Sequence, residues 1–484
     1  MNDYEDYIED IPEEYYGVAL EEKMPRVVEE WKDTVLSVSH KNDIPAYVSF
    51  FVVLGQIMKD FIRIPRGTNT EDSRIHFCWI QTSGTGKSTL YNFLGPVTKL
   101  VNQKINEFEG TTNAINSNVY RGGFYDIFDV VEYTDAALIG FYEKMKDLDE
   151  NDEPVFERRS GALEGNGLAH WDEFEYSGVF KQSQHKENII VYLNTLMNTL
   201  EGESWIITKK LKEGGVMECK CQRSVWATTY VPKHLKSVIA EKGALQRMLC
   251  YVREVPEDEQ HEMRMLQLNK SGTREETSLP IEKFSKALFT LYKNVKGRFL
   301  DVDSDPFRTV TYGEGFVEAL INEYKKMRIY VSTCRPEIRE IAQNFMTRMN
   351  GTLMKLSVLC CIANSPDVKN EEEKYKVTPT HVRQAYILTQ QCYSTLVEWL
   401  EQSLKVQKSA LAKSKGAVFI EKFREMPKDA NGFVSKPNLL KEVQKSGVSR
   451  AQSYRDWKVI SDKFEEDVIR NSVLVRLKKT GDEK

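Results

Sequence analysis

Residues 75–89 read Ile75-His76-Phe77-Cys78-Trp79-Ile80-Gln81-Thr82-Ser83-Gly84-Thr85-Gly86-Lys87-Ser88-Thr89. An apolar run through Ile80 gives way to a glycine-bearing loop, and a helical pattern, Ser88 to Leu94, follows it. Strand, glycine loop and helix in that order are the setting in which the pattern GxxxxGK[ST] carries meaning. Gly84 and Gly86 let backbone N–H groups turn inward around phosphate oxygens, and the positive end of the following helix adds to the attraction. Lys87 is placed to reach the β- and γ-phosphates of a nucleotide and Ser88 to ligate magnesium, with Ser83, Thr85 and Thr89 completing the loop. The pattern departs from consensus at Gln81, where glycine is usual; that position opens the loop instead of touching phosphate.

Gly167-Leu168-Ala169-His170-Trp171-Asp172-Glu173 is a second apolar strand ending in two carboxylates, with Asp172 85 residues beyond Lys87. Beside a phosphate loop such a pair divides the work. Asp172 would hold the magnesium, directly or through water, and Glu173 would act as general base on an attacking water. His170 and Trp171 read as packing residues. The implied reaction is hydrolysis of ATP with Mg2+. Arg247 sits in the otherwise uncharged Gly243–Leu249, and Arg348 in Phe345–Asn350 reads as the start of a long amphipathic helix. An arginine that reaches a neighbouring subunit's γ-phosphate can add ~10³–10⁵ to the rate; a structural ion pair is the other use of such a residue.

Composition bounds the rest. AVILMFWYC make up 41% and DEKR 29% of 484 residues, which excludes disorder along the whole chain. The longest apolar run, Ile44 to Met58, holds only Ser49 and Gln56 as polar residues; it is short for a bilayer span and reads as a buried helix. The acidic start argues against a secretory leader, so the expectation is a cytoplasmic protein without a membrane partner. Eight scattered cysteines form no CxxC pairs and read as core thiols. Net charge is −5, but residues 1–40 carry 12 acids against three bases, while residues 401–484 carry 19 bases against 12 acids. An acidic head and a basic tail suggest a polar partner or an oriented assembly.

Along the chain, residues 1–16 read as a disordered acidic tail and 17–66 as an N-terminal helical segment, broken near Asn42-Asp43-Ile44-Pro45, where Asn42 or Asp43 can cap the next helix. Residues 67–279 alternate strands with helices and 280–403 are helical, which describes an α/β core followed by an α-helical lid. Within the core, 141–166 read as a polar inserted loop; a hairpin pattern spans Ser204 to Cys221, and a third strand spans Ser224 to Thr228. Residues 404–484 carry three helices and a small hairpin, a winged-helix pattern whose third helix bears Arg450, Gln452, Tyr454, Arg455 and Lys458 and whose wing bears Arg476, Lys478 and Lys479. Such side chains suit DNA phosphates, although protein-docking winged helices share the pattern.

The order of these parts resembles the AAA+ replicative DNA helicases, in particular phage and plasmid helicase-like proteins related to the minichromosome-maintenance (MCM) helicases. The resemblance covers residues 40–400, and the winged helix also matches the MCM layout. It implies a P-loop AAA+ core with a parallel sheet, assembled as a ring, with a hexamer expected. ATP would be hydrolysed between subunits, with Arg247 as arginine finger and Arg348 as lid sensor; Lys355-Leu356 keeps the spacing that follows such a sensor. It also implies that Ile207–Met217 is a hairpin presenting Lys209, Lys210 and Lys212 to single-stranded DNA in a central channel. The family's first sensor, commonly Asn, would fall on Thr228 or Thr229. Duplex DNA at the winged helix, other replication proteins as partners, and a nucleoid or viral replication site of a phage or mobile element complete the expectation. An AAA+ loader or packaging ATPase that separates no strands, and an origin-binding protein that hydrolyses nothing, are the alternatives.

Overall fold

The computed structural model describes residues 23–110, 125–129, 134–148, 154–174, 187–210, 216–231, 243–269, 278–429, 431–445, 450–469 and 472–478. The acidic tail of residues 1–16, Lys212 and Lys479 lie outside them. The chain is mixed α/β and divides into two compact units, Met1–Trp399 and Leu400–Lys484.

The first unit opens with α1 (Arg26–Val38) and α2 (Asp43–Met58), then a small antiparallel hairpin of β1 (Arg63–Arg66) and β2 (Asn69–Asp72). Thirteen of the 16 residues of α2 are buried, as expected of a helix that is apolar on every side. It packs against three strands of the sheet. Its two buried polar residues find partners: Trp31 Nε1 donates to Ser49 Oγ at 2.9 Å, and Gln56 bonds Asn166 Oδ1, the Gln222 carbonyl and the Ser224 hydroxyl at 2.7–2.9 Å. Gly55 lies so close to β2's exit that a Cβ there would sit 2.3 Å from the Ser73 carbonyl oxygen.

Five parallel strands follow as β3 (Phe77–Gln81), β4 (Tyr125–Asp129), β7 (Gly165–Trp171), β9 (Val216–Thr229) and β10 (Leu249–Arg253), in the spatial order β10-β3-β9-β7-β4. Between β3 and β4 runs α3 (Lys87–Phe108); between β4 and β7 come the short α4 (Asp135–Ile139) and the antiparallel pair β5 (Phe141–Leu148) and β6 (Pro154–Arg159). Helix α5 (Glu187–Leu196) precedes β8 (Ile206–Lys210), which pairs antiparallel with the first part of β9. After β10 the unit is almost wholly helical: α6 (Glu257–Asn269), α7 (Ser278–Asp301), α8 (Phe316–Thr333) and α9 (Pro336–Asn364), with two-residue strands β11 (Thr311–Tyr312) and β12 (Lys376–Val377) pairing between them. Helix α10 (Pro379–Glu425) runs through the boundary expected at residue 403. All eight cysteines are buried and unbridged. No helix among the described residues is long and apolar enough to cross a membrane.

Several local expectations are corrected. Residues 63–66 of the expected helical segment are strand β1. Helix α3 does not stop before Gly95-Pro96 but runs to Phe108, because Pro96 faces solvent, where the Asn92 carbonyl that lacks its helical partner can bond water. Residues 141–148 and 154–159 of the expected loop are paired strands; Arg159 meets Glu143 at 2.7 Å and Glu157 at 3.1 Å. The hairpin arm and the third predicted strand are a single 14-residue strand, β9. Arg348 lies in the middle of α9, which starts 12 residues earlier, and not at a helix start.

The second unit has its own core of Phe419, Phe423, Val434, Leu439, Leu440, Val443, Trp457, Ile460, Phe464 and Val475. It is built from the end of α10, β13 (Val434–Ser435), α11 (Lys436–Lys445), α12 (Arg450–Ile460), β14 (Phe464–Ile469) and β15 (Ser472–Leu477). The strands form an antiparallel sheet in the order β13-β15-β14.

Candidate functional site

Parallel strands deliver their carboxyl ends to one edge of a sheet, which is where ligands of α/β proteins are held. Here β3, β7 and β9 end side by side in Gln81, Trp171 and Thr229, and the residues that follow enclose a cavity of about 300 Å³. Its walls are Ser83 to Thr89, Asp172, Glu173, Thr229, Tyr230 and Gln267. The loop predicted from residues 83–89 and the carboxylates predicted at 172 and 173 therefore share one cavity.

The loop's shape follows from its residues. Gly84 and Gly86 have φ of +73° and +93°, conformations that favour glycine. Gly86 caps α3, and a Cβ on it would lie 2.8 Å from Ser39 Oγ. Lys87 Nζ donates to the carbonyls of Gln81 at 2.7 Å and Thr82 at 3.1 Å, keeping the ammonium over the loop. From the far side, the α1–α2 turn grips the loop. Ser39 Oγ donates to the Gly86 carbonyl and Asn42 Nδ2 to the Thr85 carbonyl, both at 2.9 Å. Asn42 stands at the N-cap position of α2, yet its side chain makes no capping bond; it is committed to the loop instead. Gln81, the departure from consensus, is fully buried and donates to Asn42 Oδ1 and Thr85 Oγ1.

On the acidic side, Asp172 Oδ1 accepts from Thr228 Oγ1 at 2.6 Å and from the Glu173 backbone N–H at 3.1 Å. Glu173 has φ of +51°, a left-handed conformation uncommon for a residue with a Cβ and characteristic of side chains held in place at functional sites. The two threonines left open by the sequence, both buried, separate: Thr229 lines the cavity, whereas Thr228 donates to Asp172. His170 stacks on Tyr91 of α3 with centroids 3.4 Å apart, and Trp171 packs edge-on to Phe174. The Ser88 hydroxyl and the Asp172 carboxylate are hard oxygen donors in one cavity, a set that fits magnesium.

Arg247 and Arg348 are absent from this cavity and instead line a second, smaller one together. Arg247, on a 3₁₀ turn after Ala244, donates to Asn194 Oδ1 at 3.0 Å and the Gly243 carbonyl at 3.2 Å.

The remaining candidates are spread out. Lys209 and Lys210 lie on β8, half-buried and exposed respectively. Arg450, Arg455 and Lys458 are exposed on α12. Arg476 of the expected wing is engaged by Glu465 at 2.9 Å and lies 4.7 Å over the Phe433 ring. Sequence reasoning missed Ser39, Asn42, Tyr230 and Gln267, which contact the loop or line the cavity from distant parts of the chain. It also missed the β5–β6 hairpin, which leaves Phe141, Tyr142 and Phe156 40–49% exposed. No protein-family model matches this chain, and no curated protein matches it.

Proposed function

We propose that this protein is an ATP-hydrolysing, ring-forming motor that translocates along or unwinds DNA, with a P-loop AAA+ core, an α-helical lid and a C-terminal winged helix. The observation that carries the reading is the single cavity walled by the glycine loop, Asp172, Glu173 and Thr229 at the carboxyl edge of a parallel sheet. Lys87 and the loop amides would hold the phosphates. Bound magnesium, which Ser88 and Asp172 would ligate, would supply charge neutralisation on the β- and γ-phosphates. Glu173 would accept a proton from the attacking water, and Thr229 would hold that water in line. Arg247 and Arg348 line a cavity apart from the loop of their own chain, which supports their acting on nucleotide held by a second copy in a homo-oligomer, a hexamer on the family resemblance.

The exposed Lys210 on the β8–β9 hairpin, the exposed aromatics of the β5–β6 hairpin and the cations of α12 support DNA as the track, since phosphates take the charges and bases stack on aromatic faces. Glu173→Gln tests the reading: it is expected to bind ATP and turn it over about a hundredfold or more slowly, as loss of a positioned base predicts. Unimpaired turnover removes Glu173 from the mechanism. On a forked duplex, ATP turnover without strand separation would favour a loader or packaging motor instead.

A further inference from the structure

The cavity that holds Arg247 and Arg348 is chemically one-sided. Arg66 of β1, His76 just before β3, Arg247, and Arg348 and Lys355 of α9 line a space of about 90 Å³, and Glu71 of β2 is the only carboxylate among its described walls. Four cations around one carboxylate repel one another unless an anion sits among them. Glu71 is divided between two of them, 3.2 Å from Arg66 and 3.1 Å from Lys355. Gly351 makes room for it: a Cβ there would lie 2.8 Å from Glu71 Oε1. Burial first, then the neighbouring Arg348, push the Arg247 guanidinium pKa down, with Glu71 opposing.

His76 is the unexpected member. It is 4% exposed, and its Nδ1 accepts the Val225 N–H at 3.2 Å, which places the ring proton on Nε2. That Nε2 has no hydrogen-bond partner among the described residues. Burial, followed by Arg74 and Lys355, holds the ring's pKa well below its ordinary value, so it is a neutral donor at pH 7. Buried polar groups are rarely left unpaired, and one on the wall of a cationic cavity calls for an acceptor.

We propose that this cavity binds one tetrahedral oxyanion of the phosphate class, with the His76 Nε2–H as its neutral donor and Glu71 as the internal carboxylate that the anion displaces from Arg66 and Lys355. At about 90 Å³, against about 300 Å³ for the glycine-loop cavity, its scale suits a phosphoryl group better than a whole nucleotide. The inference rests on the reading of Arg247 and Arg348 given above and extends it to His76, Arg66, Lys355 and Glu71. The phosphoryl group has two sources, a nucleotide held by a second copy or free orthophosphate.

The test uses the full chain carrying Lys87→Ala, which weakens the glycine loop as an anion site, titrated with inorganic phosphate by calorimetry. One phosphate is expected per chain. Adding Glu71→Gln should tighten binding about tenfold, and adding His76→Phe should weaken it by a similar factor. The Glu71→Gln arm guards against a poorly folded His76 variant, because a damaged fold does not gain affinity. In a second arm, a non-hydrolysable ATP analogue drives assembly of the wild-type chain, followed by sedimentation. Phosphate that competes with assembly identifies the second copy's nucleotide as the source; phosphate that binds without affecting assembly identifies free orthophosphate. Absence of phosphate binding to the Lys87→Ala chain, or a titration unmoved by both further substitutions, overturns the proposal. Failure of the ATPase reading registers elsewhere, as undiminished turnover in Glu173→Gln, and leaves this titration unchanged.

Discussion

Gln81 Nε2 donates to Asn42 Oδ1 at 2.9 Å, tying the residue that opens the glycine loop to the turn between the first two helices. Both side chains are buried, and Asn42 also reaches the Thr85 carbonyl. The glutamine that departs from the phosphate-loop consensus is thus part of a clamp that fixes the loop's shape before any ligand arrives.

Asn42→Ala leaves the Gln81 amide and the Thr85 carbonyl short of a buried partner, at a cost of about 1–3 kcal/mol. Part of that cost should fall on the loop. Nucleotide affinity measured by calorimetry is expected to drop about tenfold, while the far-ultraviolet spectrum and the pairing of the sheet are retained. An affinity equal to the parent's would show that the clamp serves stability alone.

The separation of Thr228 from Thr229 gives a second prediction. Thr228 orients Asp172, so Thr228→Val should raise the magnesium concentration for half-maximal ATP turnover by about tenfold, the scale of losing a group that positions a metal ligand. Thr229 lines the cavity, so Thr229→Val should lower turnover at saturating magnesium and leave the magnesium requirement unchanged. Turnover assays across a magnesium series distinguish the two, and identical behaviour of both variants would refute the division of roles.

Much of this was legible from residues close in sequence, and the rest was not for a physical reason. The glycine loop, the Asp172–Glu173 strand end and the β8–β9 hairpin each announce themselves within about ten residues, because local backbone geometry dictates their chemistry. Strands β4 and β10 went unread. Tyr125–Asp129 and Leu249–Arg253 are five residues each, and such short runs become strands only through parallel partners far away in the chain, β7 for the one and β3 for the other. The sequence offers Asn42 or Asp43 as a helix cap, since the acceptor that Asn42 reaches lies 43 residues on. The β5–β6 pair reads as a loop because its charges look solvated, whereas Arg159 of β6 meets Glu143 of β5 and Glu157 of its own strand.

A stability prediction follows from Asp72 and Arg74, both fully buried and joined at 2.9 Å, with the Leu200 N–H donating to the same carboxylate. Burial alone would raise the Asp72 pKa, but Arg74 and Lys355 outweigh it and hold the carboxyl well below its ordinary value of 3.8. As pH falls, the unfolded chain therefore takes up this proton first. The pair's contribution is whole above about pH 5 and is lost progressively as pH drops below that, toward the depressed folded value. Asp72→Asn strands the Arg74 charge in the interior and should cost about 3–5 kcal/mol in urea unfolding at neutral pH. The gap between parent and variant should narrow with acidification; a gap that widened would reverse the sign assigned to this carboxyl.

The cations proposed above to meet DNA make contacts that salt can count. For single strands, each phosphate contact contributes about 0.7 to the fall of log affinity with log salt, and about 0.9 for duplex. Lys209 and Lys210 lie on β8, half-buried and exposed respectively, so replacing both with alanine should flatten the single-strand slope by at most about 1.4 and leave the duplex slope in place. Arg450→Ala and Lys458→Ala, on the exposed face of α12, should each flatten the duplex slope by about 0.9. Arg476 makes the opposite case: Glu465 already neutralises it and Phe433 lies beneath it, so Arg476→Ala should leave both slopes unchanged. Fluorescence anisotropy across a salt series reads all four numbers. A duplex slope that ignored Arg450 and Lys458 would assign the second unit to docking protein, and a single-strand slope that ignored Lys209 and Lys210 would remove the β8–β9 hairpin from the DNA path.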